Sequence, residues 1–103
     1  MLKITTVGSG LDSVATGASV EQSVTPYLSG TTVVSVVQPI GLTGTCAVQG
    51  SHDNSTWVDL HSSGSLTSDN KVQFKEITLR KYMRPNVTVR STGSVDMYLL
   101  NAG

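Results

Sequence analysis

The sequence has a single cysteine, Cys46, and therefore cannot form an internal disulfide. On an apolar strand such a residue packs as a small hydrophobic side chain more readily than it reacts, so we expect Cys46 in the core. The chain shows no N-terminal apolar run typical of a signal peptide, and it has no disulfide framework, so we expect it to fold in a reducing cytoplasm. No apolar run approaches the ~18 residues that a membrane-spanning helix needs.

Charged residues are scarce as well, at 14% of 103 residues, and the seven basic residues balance the seven acidic ones. A neutral chain has no general attraction to nucleic acid or to a membrane surface, and we expect neither as a partner. No stretch shows a sustained 3.6-residue apolar period or a capped helix start, so no helix is predicted.

Valine, serine and threonine are abundant, and they occur in short alternating runs separated by glycine, serine and proline. Branched side chains suit a pleated sheet, and this spacing predicts one all-β domain over residues 1–103, an antiparallel sandwich or jelly roll of about eight short strands. The predicted strands are Met1–Val7, Ala18–Pro26, Thr31–Gln38, Thr45–Val48, Trp57–Leu60, Lys71–Leu79, Met83–Arg90 and Val95–Leu100. Residues 1–18, which include a Gly- and Ser-rich stretch, could form a flexible N-terminal arm, and turns are predicted at Pro39–Gly44 and Ser91–Ser94.

The stretch Val48–Leu60 predicts a hairpin. The small polar residues of Gly50–Ser55 favour a turn, because their side chains hydrogen-bond nearby backbone and glycine or asparagine tolerates a positive φ. Trp57, the only tryptophan, opens the return strand. A two-stranded hairpin is barely stable alone in water, so the remaining strands must support it.

Residues with catalytic potential are concentrated in and beside this hairpin, but their spacing argues against an enzyme. Ser51, His52 and Asp53 are consecutive, so their side chains diverge and cannot form a Ser-His-Asp triad. Asp59 and His61, two residues apart, should share a strand face and could bind a metal together with His52 or Asp53. Two ligands are a weak signal, and we interpret these residues as solvated turn residues. The sequence thus predicts no catalytic residue, no metal site and no cofactor.

Six of the seven basic residues fall within twenty positions that contain one acidic residue, Glu76. They are Lys71, Lys75, Arg80, Lys81, Arg84 and Arg90. One interpretation is a solvated sheet edge whose lysines discourage aggregation. The functional interpretation is a patch that meets an acidic protein surface, and we predict these residues as partner-binding. Nucleic acid is disfavoured by the neutral overall charge.

The strand Thr31–Gln38 carries valines on both of its faces, which is typical of a central strand or of a strand covered by a neighbouring subunit. We therefore predict an oligomer interface that includes Val34, Val36, Ile40 and Leu42, since symmetric homo-oligomers are the common way to bury such a surface.

The strand Lys71–Leu79 changes the parity of its apolar residues, with Val72 and Phe74 on one face and Ile77 and Leu79 on the other. Either a β-bulge near residues 75–76 causes this change, or both faces of the strand are partly buried.

Four short motifs carry a resemblance to a known kind of protein. V-Q-G-S-x-D-x-S-x-W-x-D-L at Val48–Leu60 and K-Y-M-R-P-N-V-T-V at Lys81–Val89 resemble the small β-sandwich proteins that decorate tailed-phage capsids, often called cement or auxiliary head proteins. A-T-G-A-S at Ala15–Ser19 and T-T-V-V-S-V-V at Thr31–Val37 fit the same resemblance. It implies a non-enzymatic virion protein, commonly a homotrimer, that binds the major capsid protein on the outside of an icosahedral shell.

A weaker resemblance points to discoidin-like and other carbohydrate-binding sandwiches, which share the hairpin and have an R-Y-x-R pattern where this chain reads K-Y-M-R at Lys81–Arg84. In that alternative the chain is a glycan-binding module of a phage tail or surface protein, and Trp57 stacks on a sugar ring. This chain is shorter than a typical discoidin domain and lacks its pair of flanking cysteines.

Overall fold

The computed structural model describes residues 3–16, 20–21 and 32–101, and all of its strand pairs are antiparallel. The strands are β1 (Lys3–Leu11), β2 (Ala15–Thr16), β3 (Val20–Glu21), β4 (Thr32–Ser51), β5 (Val58–Ser62), β6 (Leu66–Asp69), β7 (Gln73–Thr78) and β8 (Tyr82–Asn101). The predicted all-β, antiparallel class is confirmed. Of the strand predicted over Ala18–Pro26, only Val20–Glu21 lies within the described residues, as β3.

Two strands of 20 residues, β4 and β8, form the axis of the sheet and pair from Val34↔Leu100 to Ser51↔Tyr82. In the first half-sheet, β1 and β7 flank the C-terminal half of β8 and the N-terminal half of β4. In the second half-sheet, β2, β3 and β5 flank the other halves of the same two strands. Among the described residues the sheet stays open, with the path β1-β8-β4-β5.

The long strands bend sharply between the half-sheets. A straight strand of this length would span ~65 Å, whereas the described molecule measures 37 Å along its longest axis. Register shifts between Ile40 and Thr43 and between Thr43 and Gly44 mark the bend on β4, where residues 40–44 face residues 90–94 of β8. We call these two segments the corner.

Glycine is required at the corner because the two backbones approach too closely for a side chain. Gly93 has φ 83°, and a Cβ there would overlap the carbonyl of Gly41. A Cβ on Gly44 would likewise overlap the carbonyl of Val89. The turns predicted at 39–44 and 91–94 are therefore wrong as chain reversals, since both segments continue as paired strand through the corner.

Residues on the inner sides of both half-sheets contribute to one hydrophobic core. Its buried members are Val7, Val33, Val37, Leu42, Cys46, Val48, Leu66, Ile77, Leu79, Met83, Val87, Val95, Met97 and Leu99. Cys46 is fully buried as predicted, and desolvation raises the pKa of its thiol, against a smaller opposing effect of its hydrogen bond with Ser63. Leu42 is also fully buried, because the inside of the corner faces the core.

A buried hydrogen bond joins the half-sheets across this core. His61 on β5 lies opposite Val48 in the second half-sheet, and its Nδ1 is 2.9 Å from the Oγ of Ser35 in the first. Both side chains are buried. Burial lowers the pKa of His61 below its usual 6.5, the charge of Lys75 lowers it further, and a hydrogen bond with Gln73 acts in the opposite direction.

The strand β7 pairs with β4 in continuous register from Gln73↔Val37 to Thr78↔Thr32, so the predicted β-bulge is wrong. The alternative, that both faces of the strand are partly buried, is wrong as well, because apolar residues lie on both faces but only the inner face is buried. Ile77 and Leu79 enter the core, while Val72 and Phe74 lie on the outer face.

Most of the predicted N-terminal arm pairs with the sheet. Lys3–Leu11 lies along the C-terminal half of β8, and Ala15–Thr16 lies beside Val87 and Asn86. Within the Gly- and Ser-rich part of this arm, β1 continues as far as Leu11. The rest of the predicted arm, residues 1–2 and 17–18, lies outside the described residues.

The corner geometry predicts that Gly93→Ala lowers the free energy of unfolding by at least about 2 kcal/mol, since it adds a backbone overlap to an unfavourable φ. Gly64→Ala is the matched control, because Gly64 has φ 69° and open space around it. It should cost only about 1 kcal/mol. Urea unfolding of both variants measures the difference, and equal losses would contradict the close approach.

The His61–Ser35 bond predicts a pH dependence. Because the folded pKa of His61 lies below 6.5, the unfolded chain takes up the proton first, and stability falls as pH drops below 6.5. The slope of one such group is at most about 1.4 kcal/mol per pH unit. We expect His61→Gln to flatten urea-unfolding stability between pH 7 and pH 5. His52→Gln, in the exposed turn, is the control and should keep the wild-type slope.

Candidate interaction surfaces

The outer side of the first half-sheet is an apolar surface, which we call the apolar face. The strand register places Ile4, Leu100 and Val34 in one row across the sheet and Tyr98, Val36 and Phe74 in the next. Val72 extends the surface, and a groove of about 460 Å³ runs over it. The residues that line the groove are Ile4, Val36, Gln38, Val72, Phe74, Tyr98 and Leu100.

Large apolar side chains on this face are open to solvent. Phe74 is 65% exposed and Ile4 is 63% exposed. The two residues stand on opposite edges of the half-sheet. Val36 lies nearly buried on the groove floor, Val34 is partly buried beside it, and Ile40 is half-exposed near the corner. Three of the four residues predicted for an oligomer interface thus lie on β4 at or beside the face.

The interface prediction is wrong for Leu42, the fourth of these residues, because its side chain is fully buried in the core of the single chain. The contributions of Ile4, Tyr98 and Leu100 were missed from the sequence. The parity change in its own strand indicated that Phe74 lies on the outer face. The sequence could not show that Ile4, Tyr98 and Leu100 share this face, because long-range strand pairing decides which strands are neighbours.

A polar row crosses the outer side of the second half-sheet. Arg84 Nε donates to Gln49 Oε1 at 2.8 Å, and Gln49 Nε2 donates to Asp59 Oδ1 at 2.8 Å. The three residues lie on neighbouring strands in direct register. The guanidinium carbon of Arg84 also lies 4.1 Å from the centroid of the Trp57 ring, a cation–π stack. We call these four residues the Arg84 row.

The stack limits what Trp57 can do as a sugar platform. The ring is half-buried, and Arg84 covers one of its faces. A sugar would have to stack on the opposite ring face, beside the exposed turn of residues 52–56.

The turn itself is organised by Asp53. Its Oδ1 accepts hydrogen bonds from the backbone N–H of Thr56 at 2.8 Å, from that of Ser55 at 2.9 Å and from the hydroxyl of Ser51 at 2.9 Å. These bonds, that of Thr56 most of all, lower the pKa of Asp53 to about 2. Asn54 takes the left-handed conformation with φ 61°. The predicted polar turn is confirmed, and Ser51 serves it as a structural donor.

Asp59 and His61 do not share a face, contrary to the prediction. A register shift on β5 pairs Asp59 with Gln49 on the outer side and His61 with Val48 on the core side. Within the described ranges no group of three or more His, Cys, Asp or Glu side chains could hold a metal ion.

The six basic residues do not form one patch. Arg84 is committed to its row, and Lys81 Nζ lies 5.4 Å from the ring centroid of Tyr82. Arg90 stands at the corner, where its Nε donates to the carbonyl of Gly93. It lies eight positions along β8 from Tyr82, a span of about 26 Å. Lys71 and Lys75 are exposed before and within β7, and Arg80 is partly buried against Gly50.

Comparison with models of protein families, with curated proteins and with solved structures gives no match for this chain. Across the described residues there is no helix of the length and apolar character that crossing a membrane requires.

The Arg84 row predicts that Arg84→Met lowers the free energy of unfolding by about 1–2 kcal/mol, since the variant loses the stack and the bond to Gln49. The fluorescence of Trp57, the only tryptophan, should shift because its ring loses the covering guanidinium. Lys71→Met, at an exposed position, is the matched control and should stay within about 0.5 kcal/mol of wild type. An unshifted emission spectrum in Arg84→Met would argue against the stack.

Proposed function

We propose that this chain is a non-catalytic structural protein of a phage virion, which binds the outer surface of the icosahedral capsid and stabilises it. The observation that carries the proposal is the apolar face. Small soluble proteins rarely leave a continuous apolar surface uncovered, and such a surface marks an interaction site. Its position over a regular half-sheet suits assembly with other proteins.

The contacts of the polar candidates support a structural role. The hydroxyl of Ser51 donates to the carboxylate of Asp53 within the turn, and His61 points away from that turn to Ser35. Asp59 accepts from Gln49 in the Arg84 row. Each of these groups stabilises local structure.

The motifs at Val48–Leu60 and Lys81–Val89 add the virion setting by resemblance. We propose a homotrimer as the assembled form and the major capsid protein as the partner. The folding of two half-sheets over one core also fits the sandwich or jelly-roll architecture of the decoration proteins that the chain resembles. A protein that binds only the assembled shell stabilises that shell by mass action.

The exposed cations along β7 are the proposed contact with the shell. Lys71 and Lys75 are open to solvent on the edge of the first half-sheet. We do not include Arg84 in the proposed shell contact, because its guanidinium is hydrogen-bonded in the Arg84 row. We do not include Arg90 either, because it lies at the corner and not along β7. A charge reversal at Arg84 would test stability more than binding.

We expect the double variant Lys71→Glu and Lys75→Glu to bind undecorated capsids of the encoding phage at least about tenfold more weakly than wild type. The effect should shrink at high salt, because salt screens exposed charges. Co-sedimentation over a salt series measures occupancy, and the thermal transition shows whether the variant is folded.

The control for this test is the double variant Thr56→Glu and Ser62→Glu. It adds two negative charges without removing a cation, so its net charge falls by two where that of the lysine variant falls by four, and both positions are exposed around β5 in the second half-sheet. It should bind capsids as the wild type does. Equal occupancy by the two double variants would overturn the lysine contact, and a wild type that leaves capsids unbound would overturn the proposed function.

A further inference from the structure

We propose that the apolar face is the interface between copies of this chain. Phe74 is the residue that contributes most to the binding energy. This inference deepens the proposed function, on which it rests for the view that the chain is an assembly protein. The occupant of the face is a second copy, whereas the capsid protein meets the charged edge.

The chemistry of the groove favours an apolar occupant. None of the described residues that line it is charged, and Gln38 and Tyr98 supply its polar groups. Glu76 is exposed at the edge of the face, next to Val34 in register. An acidic or basic partner would find little to pair with inside this rim. A second apolar face would match it, since the cores of protein interfaces are depleted in charge.

The size of the face suits a second copy of the same chain. Four strands at ~4.8 Å spacing, each with about seven residues at ~3.3 Å, cover roughly 19 by 23 Å. Two such faces bury a total of roughly 900 Å², close to the lower limit of ~1,000 Å² for a specific interface. Because interfaces near this limit are typically weak, we expect association at micromolar concentration.

The relief of the face also suits self-association. Phe74 and Ile4 rise on opposite edges, and between them Val36 forms a nearly buried floor. The ridge of one copy can therefore enter the groove of the next, a head-to-tail contact that three copies can close into a ring. Aromatic anchors seated in such grooves dominate the energy of many interfaces, so Phe74 is the residue to test.

The test is the native mass of the full chain by sedimentation velocity and light scattering, at concentrations from about 5 to 500 µM. Wild type should move from monomer to dimer or trimer across this range. Phe74→Glu should stay monomeric and keep the thermal transition that wild type shows at concentrations where it is monomeric, and Phe74→Leu should associate more weakly than wild type. Val89→Glu is the matched control, because Val89 is 57% exposed on β8 at the corner, outside the groove.

Association of wild type and of Val89→Glu, together with a monomeric Phe74→Glu, would support the proposal. A wild type that stays monomeric at the highest concentration would overturn it, as would a Phe74→Glu variant that associates like wild type. Monomeric protein that binds neutral phosphatidylcholine vesicles through Phe74 would also overturn it, since the occupant would be lipid.

The two proposals fail separately. A wild type that is monomeric in solution but saturates capsids would overturn the self-interface and leave the proposed function standing. A wild type that associates through Phe74 but leaves capsids unbound would keep the interface and overturn the proposed function.

Discussion

β4 and β8 stay hydrogen-bonded to each other while both pass through the same corner, and the rest of the fold depends on this constraint. Each strand takes part in both half-sheets, so the core residues of the two half-sheets can meet only if both strands bend at the corner. The bend in turn requires Gly93 and Gly44, where the backbones of the two strands approach too closely for a side chain. Once the corner forms, the inner faces meet, and the bond between His61 and Ser35 joins them across the core.

The sequence could predict those features that depend on neighbouring residues alone, namely the secondary-structure class and the polar turn. The all-β class follows from branched residues and alternation, and the turn of residues 52–56 follows from Asp53 and its neighbours. Glycine and proline at 39–44 and 91–94 correctly mark a change of direction. The local signal is the same for a chain reversal and for a corner within a strand, however, because the difference lies in partners about 50 residues away. The same ambiguity made Leu42 look exposed when it lies inside the corner.

The candidate sites were less predictable because strand register decides them. Arg84 and Gln49 are 35 residues apart, and no local pattern indicates that they bond. Asp59 and His61 have the spacing of a shared face, but one register shift sends them to opposite sides of the sheet. The basic residues are clustered along the chain, yet β8 places Arg90 about 26 Å from Tyr82, the neighbour of Lys81. Proximity in sequence was therefore a poor guide to a common surface.

The valines on both faces of the strand Thr31–Gln38 connect the sequence to the proposed assembly. The inner face is covered by the chain's own second half-sheet, whereas the outer face has no cover among the described residues. The apolar face belongs to the first half-sheet and the Arg84 row to the second. Under our proposal, a copy of the chain could cover the apolar face while the edge of β7 and the Arg84 row remain open. Association through that face would also stabilise the folded chain, since a partner that binds only the native state shifts the folding equilibrium toward it.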